Sequence, residues 1–179
     1  MKTRREFLQG LIISVGGASA LSACGDAATV VATTAGDGGR FYSADEMALI
    51  TRISDLVIPR TETPGALDAN VPGYLDALMS DWASAETQNS HREALQLISQ
   101  RLDNLSGSFI TTSETEAAAA LSELDSDAFG GDNSLSGYRS LKGYITQSYF
   151  ATEAGATEEL KWVAVPGRWD PSIDISTSD

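Results

Sequence analysis

Ser43-Ala44-Asp45-Glu46-Met47-Ala48-Leu49-Ile50-Thr51-Arg52-Ile53-Ser54-Asp55-Leu56-Val57-Ile58-Pro59 is the stretch whose periodicity sets the fold class. Ser43 followed three residues later by Glu46 is a capping box, each side chain accepting from the other residue's backbone N–H at a helix start. Met47, Ile50, Ile53, Leu56 and Val57 then recur at helical spacing, and Pro59 stops the run. The pattern predicts a helix over 44–57 with one apolar stripe to bury.

The same period continues toward the C-terminus. Thr61 to Asn70 is rich in turn formers, and Pro72 suits the first turn of a second helix carrying Tyr74, Leu75, Leu78, Met79 and Trp82. A third helix fits 88–105, with Leu95, Ile98, Leu102 and Leu105 on one face. Ser113 and Glu116 form a second capping box, opening a helix through four alanines to Leu121 and Leu124, with a break from Asp125 to Asn133. Leu135, Tyr138, Leu141, Tyr144 or Ile145, and Tyr149 mark a fifth helix. No segment alternates with period two, so the expected fold is all-α: about five helices around one core, with an irregular C-terminal arm from about Gly155.

In the other direction lies little that could be buried. Gly25 to Arg40 is mostly Ala, Thr, Gly and Asp, and reads as a flexible tether (24–40) ahead of a domain over 41–179. Sixteen such residues reach roughly 20–24 Å in r.m.s. terms. A phosphate-binding reading of Gly36-Asp37-Gly38-Gly39 fails because no strand precedes it and no GK[ST] follows. Residues 1–23 resemble an export signal: Thr3-Arg4-Arg5-Glu6-Phe7-Leu8 matches the twin-arginine pattern, and the apolar run after it is short and broken by Gly10, Gly16 and Gly17. Leu21-Ser22-Ala23-Cys24 looks like a lipobox, which would make Cys24 the lipidated first residue of the mature chain. Cleavage near Ala23 with Cys24 an incidental thiol is the other reading. The chain has one cysteine, so an internal disulfide is excluded.

Cleavage before Cys24 would leave 9 cationic and 24 acidic side chains, and 9 minus 24 is −15. Such a surface repels nucleic acid and anionic head groups and favours solubility or a basic partner. The 156 residues that remain suffice for one domain burying about two thirds of its unfolded surface.

Catalytic options are few. His91 is the one histidine and sits in a polar context beside Ser90 and Arg92, which predicts a solvated surface position. One His and one Cys make no zinc set, no haem-attachment motif and no Ser-His-Asp triad, and no G-x-G-x-x-G follows a strand. Glu114, Glu116, Glu123, Asp125 and Asp127 read as a solvated helix face, with a hidden glycosidase-type pair as the sharper alternative. Neither catalytic, cofactor nor metal residues are assigned.

Two stretches stand apart. Ile58-Pro59-Arg60-Thr61-Glu62-Thr63-Pro64-Gly65-Ala66 and Gly155-Ala156-Thr157 through Val165-Pro166-Gly167-Arg168-Trp169 are irregular, and the second carries Trp162 and Trp169 outside any helix. The arm either packs on its own bundle, with the tryptophans as plugs, or meets another protein. Arg60, Thr61, Pro64, Trp162, Pro166, Arg168 and Trp169 are the candidate partner contacts.

These two blocks, with Val71-Pro72-Gly73-Tyr74-Leu75-Asp76 and Gly143-Tyr144, resemble the gluconate 2-dehydrogenase subunit 3 family over about 44–170. The resemblance implies a small, non-catalytic subunit of a periplasmic or membrane-associated sugar or polyol dehydrogenase. A large partner subunit of the glucose-methanol-choline oxidoreductase type would hold FAD, and a multihaem cytochrome c or another acceptor would take the electrons. The small chain would hold no cofactor, carry its partner through the twin-arginine pore on Arg4 and Arg5, and tether it through lipid on Cys24. A free-standing periplasmic lipoprotein that binds a ligand or protein, and an enzyme using surface carboxylates, are the competing classes.

Overall fold

A computed structural model describes residues 39–163 and Gly167. The expectations at Arg4, Arg5, Cys24, Pro166, Arg168 and Trp169, and most of the tether, lie outside the described residues. Among those described the chain is all-helical. It forms α1 (Ala44–Val57), α2 (Val71–Asp81), α3 (Ala85–Ser106), α4 (Glu114–Phe129), a 3-10 turn (Asn133–Leu135), α5 (Ser136–Phe150) and a π turn (Gly155–Glu159).

Both predicted capping boxes are formed, Ser43 with Glu46 on α1 and Ser113 with Glu116 on α4. Two boundaries differ from expectation. α3 starts three residues early because Ser84 caps it, its side chain accepting from the Thr87 N–H. Asp125 does not break α4: its carboxylate accepts from Tyr138 Oη at 2.9 Å and pairs with Lys142 of α5. With that charge matched, Leu124 and Ala128 carry the buried stripe onward, and the helix ends at Gly130.

α5 lies at the centre, packed against α2, α3 and α4, while α1 contacts α2 and α4. Ile50, Ile53, Leu75, Leu95, Ile98, Leu102, Leu124, Leu141 and Ile145 meet in one core, closed by Tyr42, Phe109, Tyr138 and Tyr149. Fully burying one such aliphatic side chain stabilises by about 1.5–3 kcal/mol. Three residues expected in the core lie outside it, Tyr74 of α2 at 48 % exposure among them. Leu105 is 40 % exposed, because α3 ends at Ser106 with Gly107 at φ +79° and Phe109 tucks in instead. Trp82, at the C-cap of α2, is 84 % exposed.

His91 also departs from expectation, being buried rather than solvated. Its Nε2 lies 2.8 Å from Tyr42 Oη. Burial pushes the imidazole down to about 4, with Glu46 opposing and Arg92 assisting the shift. Burial, then the nearby Asp76 and Glu46 charges, hold the Tyr42 phenol well above its usual value.

The residues that put Tyr42 there form a clamp at the start of the domain. Asp76 of α2, itself buried, accepts from the backbone N–H groups of Arg40, Phe41 and Tyr42 at 2.8, 2.9 and 2.9 Å. Arg40 pairs with Asp81 through both guanidinium nitrogens, and Arg92 pairs with Glu46 while stacking on Phe41, 4.2 Å from its ring centroid. Gly39 is needed beside this clamp, since a Cβ there would lie 2.1 Å from Asp76 Oδ1.

Candidate functional site

The first irregular block and the described start of the second, residues 155–163, nearly a hundred residues apart in sequence, meet in space. Pro59 ends α1, and the chain then folds back so that the Ala66 N–H donates to Ile58 O at 2.9 Å. Gly65 sits where this return is tightest: a Cβ there would lie 2.6 Å from Arg60 N. Asp68 braces the loop from within, accepting from the Gly65 N–H at 2.8 Å and pairing with the Arg60 guanidinium. Those two bonds hold the Asp68 carboxyl below its ordinary value, the Arg60 contact being the larger cause. Asn70 at φ 51° then turns the chain into α2, a left-handed position that asparagine tolerates better than most residues.

From the other side, Tyr149 at the end of α5 donates its hydroxyl to Pro64 O at 2.6 Å, and Thr63 Oγ1 donates to a carboxylate oxygen of Glu159. Burial raises the Tyr149 phenol, and the charges of Glu159, Glu158 and Asp68 push the same way. Gly155 lets the π turn fold onto α5, because a Cβ at that position would sit 2.2 Å from Tyr149 O. The turn closes with the Trp162 N–H donating to Ala156 O at 2.8 Å, after Lys161 at φ 51°.

Of the expected contact residues, Arg60, Thr61, Pro64 and Trp162 are thus brought to one region. Their roles divide. Pro64 supplies a carbonyl that anchors the loop, and Arg60, although exposed, spends its guanidinium on Asp68. Thr61 is exposed. Trp162 is 60 % exposed, so it does not plug its own bundle, and it stands with Leu160 at 59 %, Val163 at 62 % and Phe150 at 41 %. Phe150, Leu160 and Val163 did not figure among the expected contacts; Phe150 lies at the end of α5, just before the turn at Ala151.

A concavity of about 570 Å³ runs between α3 and the start of α5, lined by Glu86, Ser90, His91, Glu93, Ser136 and Tyr144 among others. Its hydroxyls and carboxylates could hold a polar ligand. It offers no obvious nucleophile: His91 Nε2 is engaged by Tyr42, and no serine is hydrogen-bonded to the imidazole among the described residues. Also among the described residues, no three His, Cys, Asp or Glu side chains converge as a metal site, and no helix is long and apolar enough to cross a membrane.

No match to this chain was found among the curated proteins or the solved structures. A family model does match, described as gluconate 2-dehydrogenase subunit 3 and spanning residues 44–167. That span runs from the capped start of α1 through the loop after it and most of the second irregular block, so the chain belongs to the gluconate 2-dehydrogenase subunit 3 family.

Proposed function

We propose that this chain is a non-catalytic subunit of a periplasmic FAD-dependent sugar or polyol dehydrogenase, acting as export escort, stabiliser and membrane anchor for the FAD-bearing subunit. The family match over 44–167 carries the reading, since the family is defined as one subunit of a dehydrogenase. Two features support it. The Arg4-Arg5 leader resembles a signal for exporting folded cargo, and the segment that follows Tyr149 leaves Phe150, Leu160, Trp162 and Val163 largely exposed. FAD, and haem in an electron-accepting subunit, belong to partners in this scheme. The groove between α3 and α5 is the feature that favours a free-standing lipoprotein binding module instead.

Export and anchoring can be tested together in cells. Replacing Arg4 and Arg5 by Lys should leave both this chain and the FAD-bearing subunit in the cytoplasm. Cys24→Ser should move dehydrogenase activity from the membrane to the soluble periplasmic fraction without abolishing it. A flavoprotein that still reaches the periplasm beside the Arg4→Lys, Arg5→Lys variant disproves the escort role. Activity that stays on the membrane with Cys24→Ser disproves the anchor.

A further inference from the structure

We infer that the segment Phe150–Val163, with the loop 58–68 beneath it, docks on an apolar face of the FAD-bearing subunit that is rimmed by lysine and arginine side chains. The inference rests on the subunit reading above and adds the chemistry of the partner's surface.

The apolar part is Phe150, Leu160, Trp162 and Val163, each between 41 and 62 % exposed and held in one short segment folded onto the end of α5. The folding is specific. Leu160 N–H donates to Gly155 O at 3.1 Å, Trp162 N–H to Ala156 O at 2.8 Å, and Thr63 ties the loop to Glu159. Four large apolar side chains presented on a braced backbone gain by covering, and a tryptophan among them is the residue type that most often anchors an interface.

The charges around them narrow what can cover them. The two segments carry Glu62, Asp68, Glu153, Glu158 and Glu159 against Arg60 and Lys161. Arg60 is already matched by Asp68, so the remaining carboxylates outnumber the one other cation. A neutral or acidic partner would desolvate these carboxylates without a matching charge, and like charges facing each other across an interface repel. A second copy of this chain would bring the same acidic rim and is disfavoured for that reason. Anionic lipid is disfavoured likewise. An apolar centre with a cationic rim satisfies both parts.

The experiment measures association of the full exported chain with the FAD-bearing subunit, identified by its bound flavin, at 20 and 200 mM NaCl. Rim charges act mainly on the association rate and buried anchors on dissociation. The wild-type association rate should fall by about tenfold across that salt range. Glu62→Lys with Glu158→Lys should lower it several-fold at 20 mM while leaving dissociation nearly unchanged. Trp162→Ala should speed dissociation by roughly 30-fold, the size of a typical anchor truncation. Glu123→Lys with Asp127→Lys, both exposed on α4, makes the same change in net charge elsewhere and should leave the association rate within about twofold. Association that forms but ignores salt and the Glu62/Glu158 pair, or that responds equally to the α4 pair, overturns the docking face and leaves the subunit role standing. Absence of any complex overturns both.

Discussion

Asp76 shows how much one side chain can organise. Its two oxygens accept three backbone N–H groups from the residues that open the domain. Truncation would leave three donors competing for water at a buried site, and each orphaned buried donor costs about 1–3 kcal/mol, partly relieved if the segment peels away. Asp76→Ala is expected to destabilise by about 2–4 kcal/mol in urea denaturation, with Asp76→Asn intermediate because one carbonyl oxygen can still serve Phe41 and Tyr42. A loss below about 0.5 kcal/mol for the alanine variant would mean the clamp is not formed in solution. His91, reached through Tyr42, makes a second prediction. Its imidazole stays neutral in the fold down to about pH 4, whereas an unfolded histidine takes a proton near 6.5. Between those values the unfolded state binds the extra proton, so stability falls as pH drops from 6.5 toward 4 and levels off below. The charged groups facing it are Glu46 and Arg92, with Tyr42, Phe41 and Tyr144 around the ring. The full effect is on the order of 3 kcal/mol. His91→Phe should flatten the slope between pH 6.5 and about 5.5, above the range where the carboxyls of Asp68, Asp81, Glu116 and Asp132, lowered in the fold, begin to withdraw stability as their unfolded counterparts take up protons. An unchanged slope in that variant would show that His91 does not carry the acid sensitivity in this window.

At the scale of elements, what could be read from sequence was what is encoded locally. α1 spans 44–57 as expected, and both capping boxes are present, because the pairs Ser43/Glu46 and Ser113/Glu116 carry their own three-residue spacing. Ser84 caps α3 without an acidic or amide residue at the third position, so the start of that helix had no comparable mark. Misreadings arose where a distant partner decides the environment. His91 looks polar among Ser90 and Arg92, but Tyr42, 49 positions away, covers it. Asp125 looks like a helix breaker until Lys142 and Tyr138 on α5 neutralise it. The proposed docking surface was half legible for the same reason. Prolines, glycines and out-of-place aromatics marked each block, yet only the fold shows that Tyr149 joins them through Pro64 O, and that Arg60 is bound up with Asp68 while Trp162 remains uncovered.

Across the whole molecule the dominant fact is charge, a net −13 with 25 acidic against 12 basic side chains. Among the described residues five ion pairs hold part of this in check, Arg92 with Glu46 and Arg101 with Asp132 being two of them. Exposed pairs of this kind contribute about 0–1 kcal/mol each, and salt weakens them. The unmatched carboxylates repel one another, and salt weakens that too. The two effects oppose, and the excess of acidic groups decides between them. Raising NaCl from 10 to 150 mM shortens the screening length from about 30 to about 8 Å, which removes repulsion between surface carboxylates while leaving contact pairs partly intact. The melting temperature is therefore expected to rise with salt, by about 2–5 °C for a net gain of about 1 kcal/mol. Glu114→Lys with Glu123→Lys, both exposed on α4, removes four units of the imbalance and should reduce that rise. Differential scanning calorimetry at the two salt concentrations checks this directly, over a range where salting-out is negligible. A melting temperature that falls with salt would show that the ion pairs outweigh the self-repulsion. The acidic surface would then be a structural asset in its own right, and complementarity to a basic partner would no longer be needed to explain its presence.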